Sequence, residues 1–286
     1  MLTHEYIEVN GIKLHVAKKG TGNKLVVLLH GWPEFWYTWR KQIDFLSETY
    51  TVVAPDLRGF NLSDKPKGAA NYTSDIVASD IAELIPKLGF QKAFIVGHDW
   101  GGAVAWTFAT LYPELTEKLA VLNCPHPIEM SKGIRNNFSQ LRKSWYMFFF
   151  QLPWLPERFV GANLSVFFKK AIRSQLRDRN SFTDADVNAF VAAYQQEGAL
   201  TGSINYYRAL RHSLGKQGMY KQKIKAPTLL IWGENDRFLG KEMTLDTARH
   251  INNSYEFKPI PNCSHWVQND CPNEVNQYLS VFFQAP

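Results

Sequence analysis

The chain has 286 residues, of which 45% are hydrophobic and 20% are charged, so it can bury a sizeable core in one large domain or two small ones. This composition excludes collagen-like and disordered proteins. No apolar stretch approaches the roughly 20 residues of a membrane span. The net charge of +6 comes from 32 basic and 26 acidic residues without a long basic run. This charge could suit nucleic acid or anionic lipid, but the pattern favours solubility over either kind of binding.

The first residues and the cysteines indicate a protein that stays inside the cell. The start of the chain has no basic residues followed by an apolar stretch, so we expect no signal peptide. The three cysteines, Cys124, Cys263 and Cys271, are too few and too scattered for a disulfide framework or a zinc cluster. They favour a reducing compartment, and we expect a cytoplasmic location.

Turn signals and apolar runs predict the strands. Asn10-Gly11 tolerates positive φ at both residues and predicts a hairpin between strands at 6–9 and 12–16. The later strands are predicted from continuous apolar runs, which are typical of strands covered on both faces. These runs lie at 25–29, 50–54, 93–96, 119–122 and 228–232, and a further extended run lies at 255–260.

Helical patterns lie between several of these runs. In residues 73–88 the apolar side chains fall on one helical face, and Thr73 is predicted to cap that helix. Another helical pattern begins near Trp100 and continues to Leu111. Strand alternating with helix indicates an α/β fold with a mostly parallel sheet of about eight strands.

The alternation stops between about Pro125 and Gly218, where the chain is helical and rich in aromatic residues. We interpret residues 126–216 as a helical cap domain, or lid, inserted into a core domain formed by residues 1–125 and 217–286. Extra helices packed on the side of the sheet are the alternative. The stretch from Met147 to Leu155 is expected to be buried in the lid, and an apolar patch for dimer contact or lipid approach is its alternative.

The segment Gly97-His98-Asp99-Trp100-Gly101-Gly102 follows one strand and precedes a helix, as a nucleophile elbow does. Gly97 and Gly101 suit this tight turn because it leaves no room for side chains two positions either side of the nucleophile. The position that usually holds serine is Asp99 here, and the helix N-terminus favours its ionised form. A glycine-rich turn with Asp99 as an ordinary N-cap is the alternative.

Two later residues complete a possible acid–base set. Asp236 follows the strand at 228–232, and His265 lies on a loop after 255–260. Nucleophile, acid and histidine in this order are typical of α/β hydrolases and differ from the orders in chymotrypsin and subtilisin. A lone Asp or His on a loop is more often only a surface residue, but three such roles at strand ends are hard to obtain by chance.

The segment His30-Gly31-Trp32-Pro33-Glu34 directly follows the strand at 25–29. In α/β hydrolases the oxyanion hole takes one backbone amide from this loop and one from the residue after the nucleophile. Trp32 and Trp100 would supply these amides, and Pro33 would restrict the backbone of Trp32. The Trp-Pro pair could equally serve only to separate strand from helix.

An aspartate nucleophile narrows the chemistry. Attack on an ester or amide carbonyl would give a labile anhydride, whereas displacement at an sp3 carbon gives an alkyl ester. A water activated by His265, with Asp236 orienting the ring, would then hydrolyse the ester. The leaving group would be a halide or an epoxide oxygen, and the epoxide oxygen needs a proton donor such as a tyrosine phenol.

On these motifs the sequence resembles the epoxide hydrolases of the α/β-hydrolase superfamily over essentially its whole length. The matching stretches are His30 to Glu34, Asp56-Leu57-Arg58-Gly59, Gly97 to Gly102, Trp232 to Asp236 and Ser264-His265-Trp266. The resemblance implies that two lid tyrosines bind and protonate the epoxide oxygen. These would be Tyr146, five residues before Gln151, and Tyr207, in the run Asn205-Tyr206-Tyr207-Arg208. The adjacent Tyr206 is the alternative to Tyr207.

The resemblance implies conversion of a small apolar epoxide and water to a vicinal diol, with no metal or organic cofactor. We expect a monomer or homodimer whose substrate pocket is formed by Trp32, Pro33, Trp100, Tyr146 and Tyr207. A haloalkane dehalogenase is the alternative enzyme, although that family typically has Asn at the position of Trp32 and lacks the tyrosines. Fluoroacetate dehalogenases usually have Arg at the position of Trp100. A small-ligand receptor on the same fold is the non-enzyme alternative.

Overall fold

The computed structural model describes residues 1–213 and 216–285 and contains one eight-stranded sheet. Its strands are β1 (Thr3–Val9), β2 (Ile12–Lys19), β3 (Leu25–Leu29), β4 (Thr51–Pro55), β5 (Ala93–His98), β6 (Thr116–Leu122), β7 (Thr228–Gly233) and β8 (Tyr255–Ile260). The order is β1-β2-β4-β3-β5-β6-β7-β8. The pairs β1–β2 and β2–β4 are antiparallel, and all other neighbouring pairs are parallel. The predicted α/β class with a mostly parallel sheet is confirmed.

Helices cover both faces of this sheet. The α-helices of the described residues are α1 (Arg40–Leu46), α2 (Ser74–Lys87), α3 (Trp100–Leu111), α4 (Pro127–Asn136), α5 (Phe138–Lys143), α6 (Trp145–Phe149), α7 (Leu155–Gly161), α8 (Leu164–Ala171), α9 (Asp184–Tyr194), α10 (Ala199–Ala209), α11 (Val267–Asp270) and α12 (Pro272–Gln284), of which α1 and α12 pack on one face and α2 and α3 on the other. Phe94 and Val96 of β5 belong to the core that includes α1 and α12, whereas Ala93 and Ile95 belong to the core that includes α2 and α3. This alternation follows from the two-residue period of a strand.

The predicted hairpin and the helix after Thr73 are present, with one difference. Asn10 and Gly11 both have positive φ in the turn that pairs β1 with β2. Thr73 precedes α2 in an extended conformation, but its side chain makes no capping hydrogen bond, so that part of the prediction is wrong. The acidic Asp75 lies in the first turn instead, where a negative charge is favourable to the helix dipole.

The described residues between β6 and β7 form helices and no strand, as the sequence predicts. We call residues 127–221 the helical segment. It lies over the carboxyl ends of β3 and β5, since Trp32 contacts the rings of Phe150 and Tyr207 and Trp100 also contacts Tyr207. Within the described part of the chain, no helix has both the length and the apolar character required to cross a bilayer.

The stretch from Met147 to Leu155 is not buried, contrary to the expectation from its composition. Phe150 is 4% exposed, but Phe148 is 57% and Trp154 is 62% exposed. In the five-residue helix α6, Tyr146, Met147 and Phe149 are half-buried whereas Trp145 and Phe148 are exposed, because side chains of a helix point in all directions around its axis. A large apolar surface therefore remains open to solvent.

The cysteines also differ from expectation. Cys263 and Cys271 are both fully buried and joined by a disulfide, whereas Cys124 is free. They are eight residues apart in the sequence, and α11 reverses the chain so that they meet. The prediction from the scattered positions of the cysteines therefore failed for this pair, because spacing in the sequence does not give the distance between side chains in the fold. The predicted cytoplasmic location remains a prediction.

Candidate active site

Asp99 occupies a strained turn between β5 and α3. Its φ of 50° and ψ of −120° are unusual for a residue with a side chain and cost about 1–3 kcal/mol. A Cβ at Gly97 would overlap the carbonyl oxygen of Gly101, and a Cβ at Gly101 would overlap that of Leu29. Glycine at both positions therefore permits the turn. It places the Asp99 carboxylate next to the N-terminus of α3, which favours an anion.

His265 lies between two carboxylates. Its Nδ1 is 2.6 Å from Asp236 Oδ2, and its Nε2 is 3.5 Å from Asp99 Oδ2. The three residues follow β5, β7 and β8 in the chain. Parallel strands bring their carboxyl ends to one edge of a sheet, which is where ligands of open α/β sheets bind. The fold thus assembles the three residues that the sequence proposed as nucleophile, acid and base.

The two carboxylates determine the charge of His265. Burial lowers the pKa of His265, but Asp236 and Asp99 outweigh this effect and raise it to about 10. Burial likewise raises the pKa of Asp236, but the neighbouring His265 and Asn123 hold it below its ordinary value. With Asp99 ionised, the ring is an imidazolium at neutral pH. Loss of the Asp99 charge would bring its pKa back toward the range in which histidine acts as a base.

Asp99→Ala is expected to lower the pKa of His265 by about one pH unit or more, because it removes one of the two anions that stabilise the imidazolium. An NMR titration of the His265 ring measures this change. Asp44→Ala is the control, since Asp44 is an exposed carboxylate paired with Lys19. An unchanged His265 pKa in Asp99→Ala would contradict the coupling between these two residues.

Asn123 positions Asp236, and sequence reasoning missed it. Its Nδ2 donates to Asp236 Oδ2 at 2.7 Å, while its Oδ1 accepts the amide of Gly233 at 2.8 Å. The amides of Phe238 and Leu239 donate to Asp236 Oδ1 at 2.7 and 2.9 Å. Asn123 comes directly after the apolar run at 119–122. Polar residues that directly follow parallel strands meet at one edge of the sheet. The position of Asn123 directly after a predicted strand could therefore have identified it as a site residue.

A buried network connects the loop after β3 with the loop that carries His265. Glu34 Oε2 accepts the amide of Gly31 at 2.8 Å and lies 2.8 Å from His98 Nδ1. His98 Nε2 lies 2.9 Å from the carbonyl oxygen of His265, and Gln268 donates to Glu34 Oε1 at 2.7 Å. Burial alone would raise the pKa of Glu34. The opposite effect of His98 and of the hydrogen bonds is larger in sum, and it holds this pKa below its usual value. The network holds both loops in place, and no sequence spacing predicts it.

The two oxygens of Asp99 have different surroundings. The backbone amide of Trp32 donates to Oδ1 at 2.8 Å, and the Trp32–Pro33 peptide is cis. Trp100 is the first residue of α3, where backbone amides lack intrahelical acceptors. Oδ2 is the oxygen next to His265. Oδ1 therefore accepts an amide hydrogen bond, whereas Oδ2 faces the ring of His265.

Tyr146 on α6 and Tyr207 on α10 lie beside Asp99. Their ring centroids are 5.8 Å apart, and both line the same cavities as Asp99. Burial raises the pKa of each phenol well above its usual value, and the charge of Asp99 raises it further. Both therefore keep their protons at neutral pH. Tyr206 has another role, since its hydroxyl donates to the carbonyl oxygen of Arg58 at 3.0 Å.

Two cavities, of about 740 and 380 Å³, meet at Asp99, Tyr146 and Tyr207. The larger one is also lined by Trp32, Pro33, His265 and aromatic residues of the helical segment. Trp100 lines the smaller one, together with apolar residues of α3 and α4. An apolar molecule bound at Asp99 can therefore extend in two directions.

Comparisons with known proteins identify the family. The family model of the alpha/beta hydrolase fold matches residues 24–271. The chain is 38% identical to human Epoxide hydrolase 4, over 99% of this chain and 79% of that protein. It is 43% identical to the AB hydrolase superfamily protein YfhM of Bacillus subtilis, over 98% and 97% respectively. A solved structure of an epoxide hydrolase from Bacillus megaterium, in complex with an inhibitor, matches with a TM-score of 0.88 at 32% identity, covering 98% of this chain and 100% of that one. The predicted resemblance is confirmed, and the chain belongs to the α/β-hydrolase-fold family and, within it, to the epoxide hydrolases.

Proposed function

We propose that this protein converts an apolar epoxide and water to a vicinal diol through a covalent ester on Asp99. Its relatives from human and Bacillus megaterium bear the name epoxide hydrolase. The observation that best supports the proposal is the arrangement at the junction of the two cavities. A carboxylate next to a histidine lies there beside two tyrosines whose raised pKa keeps them protonated. This set provides a nucleophile, a base and an acid for opening an epoxide.

In the first step, Asp99 Oδ2 attacks one carbon of the epoxide. A carbon–Oδ2 bond forms, the ring carbon–oxygen bond breaks, and Tyr146 or Tyr207 gives its proton to the departing oxygen. Esterification removes the negative charge of Asp99, so the pKa of His265 falls. The imidazolium can then release its proton, which returns through solvent to the tyrosinate. The step therefore ends with a neutral base beside the ester.

In the second step, His265 Nε2 takes a proton from a water whose oxygen attacks Asp99 Cγ. The negative charge that develops on Oδ1 is stabilised by the amide of Trp32, already at 2.8 Å, and by the amide of Trp100. Asp236 stabilises the imidazolium. Collapse breaks the Cγ–Oδ2 bond, and the departing alkoxide oxygen takes the proton that the water oxygen still carries on Cγ. The diol is then released, with Asp99 ionised and His265 protonated as at the start. The oxygen of the water then remains in the carboxylate of Asp99.

We propose that the helical segment acts as a lid on the core, with the domain boundaries expected from the sequence. Both phenols stand on helices of this segment, whereas Asp99, Asp236 and His265 follow strands of the sheet. The lid would therefore supply the acid, and the core would supply the nucleophile and the base. All groups in the proposed steps belong to the protein, the epoxide or water.

The double variant Tyr146→Phe/Tyr207→Phe is expected to slow diol formation from styrene oxide by about 10²–10⁴-fold, which is the usual contribution of a general acid. Diol release is measured by chromatography. Tyr206→Phe is the matched control and should keep the wild-type rate, because its hydroxyl is bound to the backbone of Arg58. Equal rates in the wild type and the double variant would place the acid elsewhere.

The same assay separates the alternatives. A haloalkane dehalogenase would release bromide from a bromoalkane, with the Trp100 indole as a donor to halide. The Trp100 ring instead packs edge-on against Tyr207, with a centroid distance of 5.1 Å. We expect diol from styrene oxide and no bromide from a bromoalkane. Bromide release that is insensitive to the tyrosine variant would favour the dehalogenase, and no turnover of either compound would favour a ligand receptor.

A further inference from the structure

Exposed apolar side chains are concentrated on one part of the helical segment. We call this surface the aromatic face, and it consists of Trp145 (60% exposed), Phe148 (57%), Trp154 (62%), Leu155 (40%), Phe159 (65%) and Val166 (44%). A contiguous exposed surface of this kind usually marks an interaction site. The side chains on α6 are three residues apart and those on α7 are four apart, so each pair lies on one side of its helix.

The aromatic face is continuous between α6 and α7. The ring of Phe149 contacts that of Trp145 at a centroid distance of 6.0 Å and that of Phe159 at 5.7 Å. Arg158 lies over the ring of Trp154, with 5.9 Å from its guanidinium carbon to the ring centroid. Aromatic and cationic groups therefore share this surface.

The net charge of the chain lies in the same region. Residues 138–179 contain eight Lys or Arg and two Asp or Glu, while the rest of the chain contains 24 of each kind. The whole net charge of +6 thus belongs to this segment. Of its two acids, Glu157 is paired with Arg208 and Asp178 accepts the amide of Asn180.

Some of these cations have partners and others do not. Asp184 pairs with Lys169 and Arg173, and Glu274 pairs with Arg177. Within residues 1–213 and 216–285, no ion pair involves the remaining cations Arg142, Lys143, Arg158, Lys170 and Arg179. The positive potential of this region is therefore only partly neutralised by the protein itself.

The larger cavity opens on the aromatic face. Its lining includes Trp145, Phe159 and Val166 of that face, together with Arg142 and Lys170. All five side chains are exposed as well as lining the cavity. Side chains with both properties mark the mouth of a cavity. The entrance to Asp99 is thus bordered by aromatic and cationic groups.

We propose that the aromatic face docks on an anionic lipid bilayer, with the mouth of the larger cavity against the membrane. Tryptophan and other aromatic rings favour the membrane–water interface, and cations are attracted to anionic head groups. A second copy of the chain fits less well, because a two-fold interface would bring two segments of charge +6 together. An apolar epoxide dissolved in the bilayer would then enter the cavity directly. That last step rests on the proposed function, whereas the docking does not.

Flotation of the full chain with vesicles, in the absence of substrate, tests the docking. The protein is expected to bind vesicles of phosphatidylcholine with phosphatidylserine at least about ten-fold more strongly than vesicles of phosphatidylcholine alone. Added salt should weaken the binding because it screens the charges. The apolar variant Phe148→Ser/Trp154→Ser and the charge variant Arg142→Glu/Arg158→Glu should each weaken binding by about ten-fold or more.

Two matched variants test whether weaker binding requires changes in the aromatic face or follows from the same kinds of substitution elsewhere on the surface. Tyr6→Ser/Val281→Ser removes exposed apolar side chains from β1 and α12, where they are 58% and 63% exposed. Lys223→Glu/Lys225→Glu makes the same kind of charge change at exposed residues before β7. Both should bind the anionic vesicles like the wild type. Binding by the aromatic-face variants that equals the wild type would overturn the proposal. The proposal would also be overturned if the wild type were a dimer and only the aromatic-face variants dissociated it.

A rate measurement connects docking with the reaction. Neither Phe148 nor Trp154 lines the two cavities, so Phe148→Ser/Trp154→Ser should hydrolyse a water-soluble epoxide at the wild-type rate. Its rate on an epoxide dissolved in anionic vesicles should fall by about as much as its vesicle binding. An unchanged rate on the vesicle-dissolved epoxide would overturn delivery from the bilayer. Vesicle binding that depends on the aromatic face, without turnover of any epoxide, would refute only the proposed function.

Discussion

Asp99→Ala is expected to abolish diol formation, with a loss of about 10⁴-fold or more, because the proposed nucleophile of the first step is removed. Asp236 cannot replace it, since its oxygens are occupied by His265, Asn123 and two backbone amides. The fold should persist, because among residues 1–213 and 216–285 the polar partners of the Asp99 carboxylate are the amide of Trp32 and the ring of His265. Chromatography of the diol and thermal unfolding measure the two effects.

Heavy-oxygen water gives an independent measurement on the wild-type protein. If the Cγ–Oδ2 bond breaks in each cycle, the carboxylate of Asp99 takes one oxygen from water per turnover. After repeated turnovers, the peptide that contains residues 97–102 should carry the heavy isotope. The peptide with Asp236 is the internal control, because that carboxylate contacts the same histidine but forms no ester. Diol production without label at Asp99 would refute the covalent ester.

His265→Gln is expected to stop the cycle after the first step, with turnover reduced by about 10⁴-fold or more. Attack by Asp99 and protonation by the tyrosines do not require a base, whereas hydrolysis of the ester does. The intact mass of the variant should therefore rise by the mass of one epoxide after exposure to substrate. Peptide mapping should place the added mass on Asp99.

Two further variants make the trapping result specific. The double variant Asp99→Ala/His265→Gln should remain unmodified, since it has no nucleophile. His212→Gln, at an exposed position, should turn over like the wild type without accumulating an ester. An unchanged mass of His265→Gln after exposure to an epoxide that the wild type hydrolyses would contradict the assignment of His265 as the base of the second step.

The strands of the sheet could be predicted because their environment is uniform. The bounds of β3 and β8 agree with the predicted runs at 25–29 and 255–260, and the other predicted strands differ at their ends. The parallel strands in the middle of the sheet are covered on both faces and therefore appear as continuous apolar runs. The proximity of Asp99, Asp236 and His265 could be predicted for the same reason, since each follows a strand and parallel strands end at one edge of the sheet.

Other features could not be predicted from the sequence. Helix α6 has five residues and is followed by its C-cap Phe150, and this segment is too short for a periodic pattern to distinguish the buried Phe150 from the exposed Phe148. The spacing of Cys263 and Cys271 did not predict that α11 brings them together. Asn123 resembles any polar residue after a strand until its contact with Asp236 is seen.

The sequence by itself determined the fold class, the position of the elbow and the residue types available for catalysis, because these depend on local patterns of apolar residues, glycines and turns. Only the tertiary structure decided that two carboxylates raise the pKa of His265, which tyrosines lie beside Asp99, and that the cavity mouth coincides with the aromatic face and its cations. These properties depend on distances between side chains far apart in the chain. Electrostatic and packing energies are set by those distances, and no local pattern specifies them.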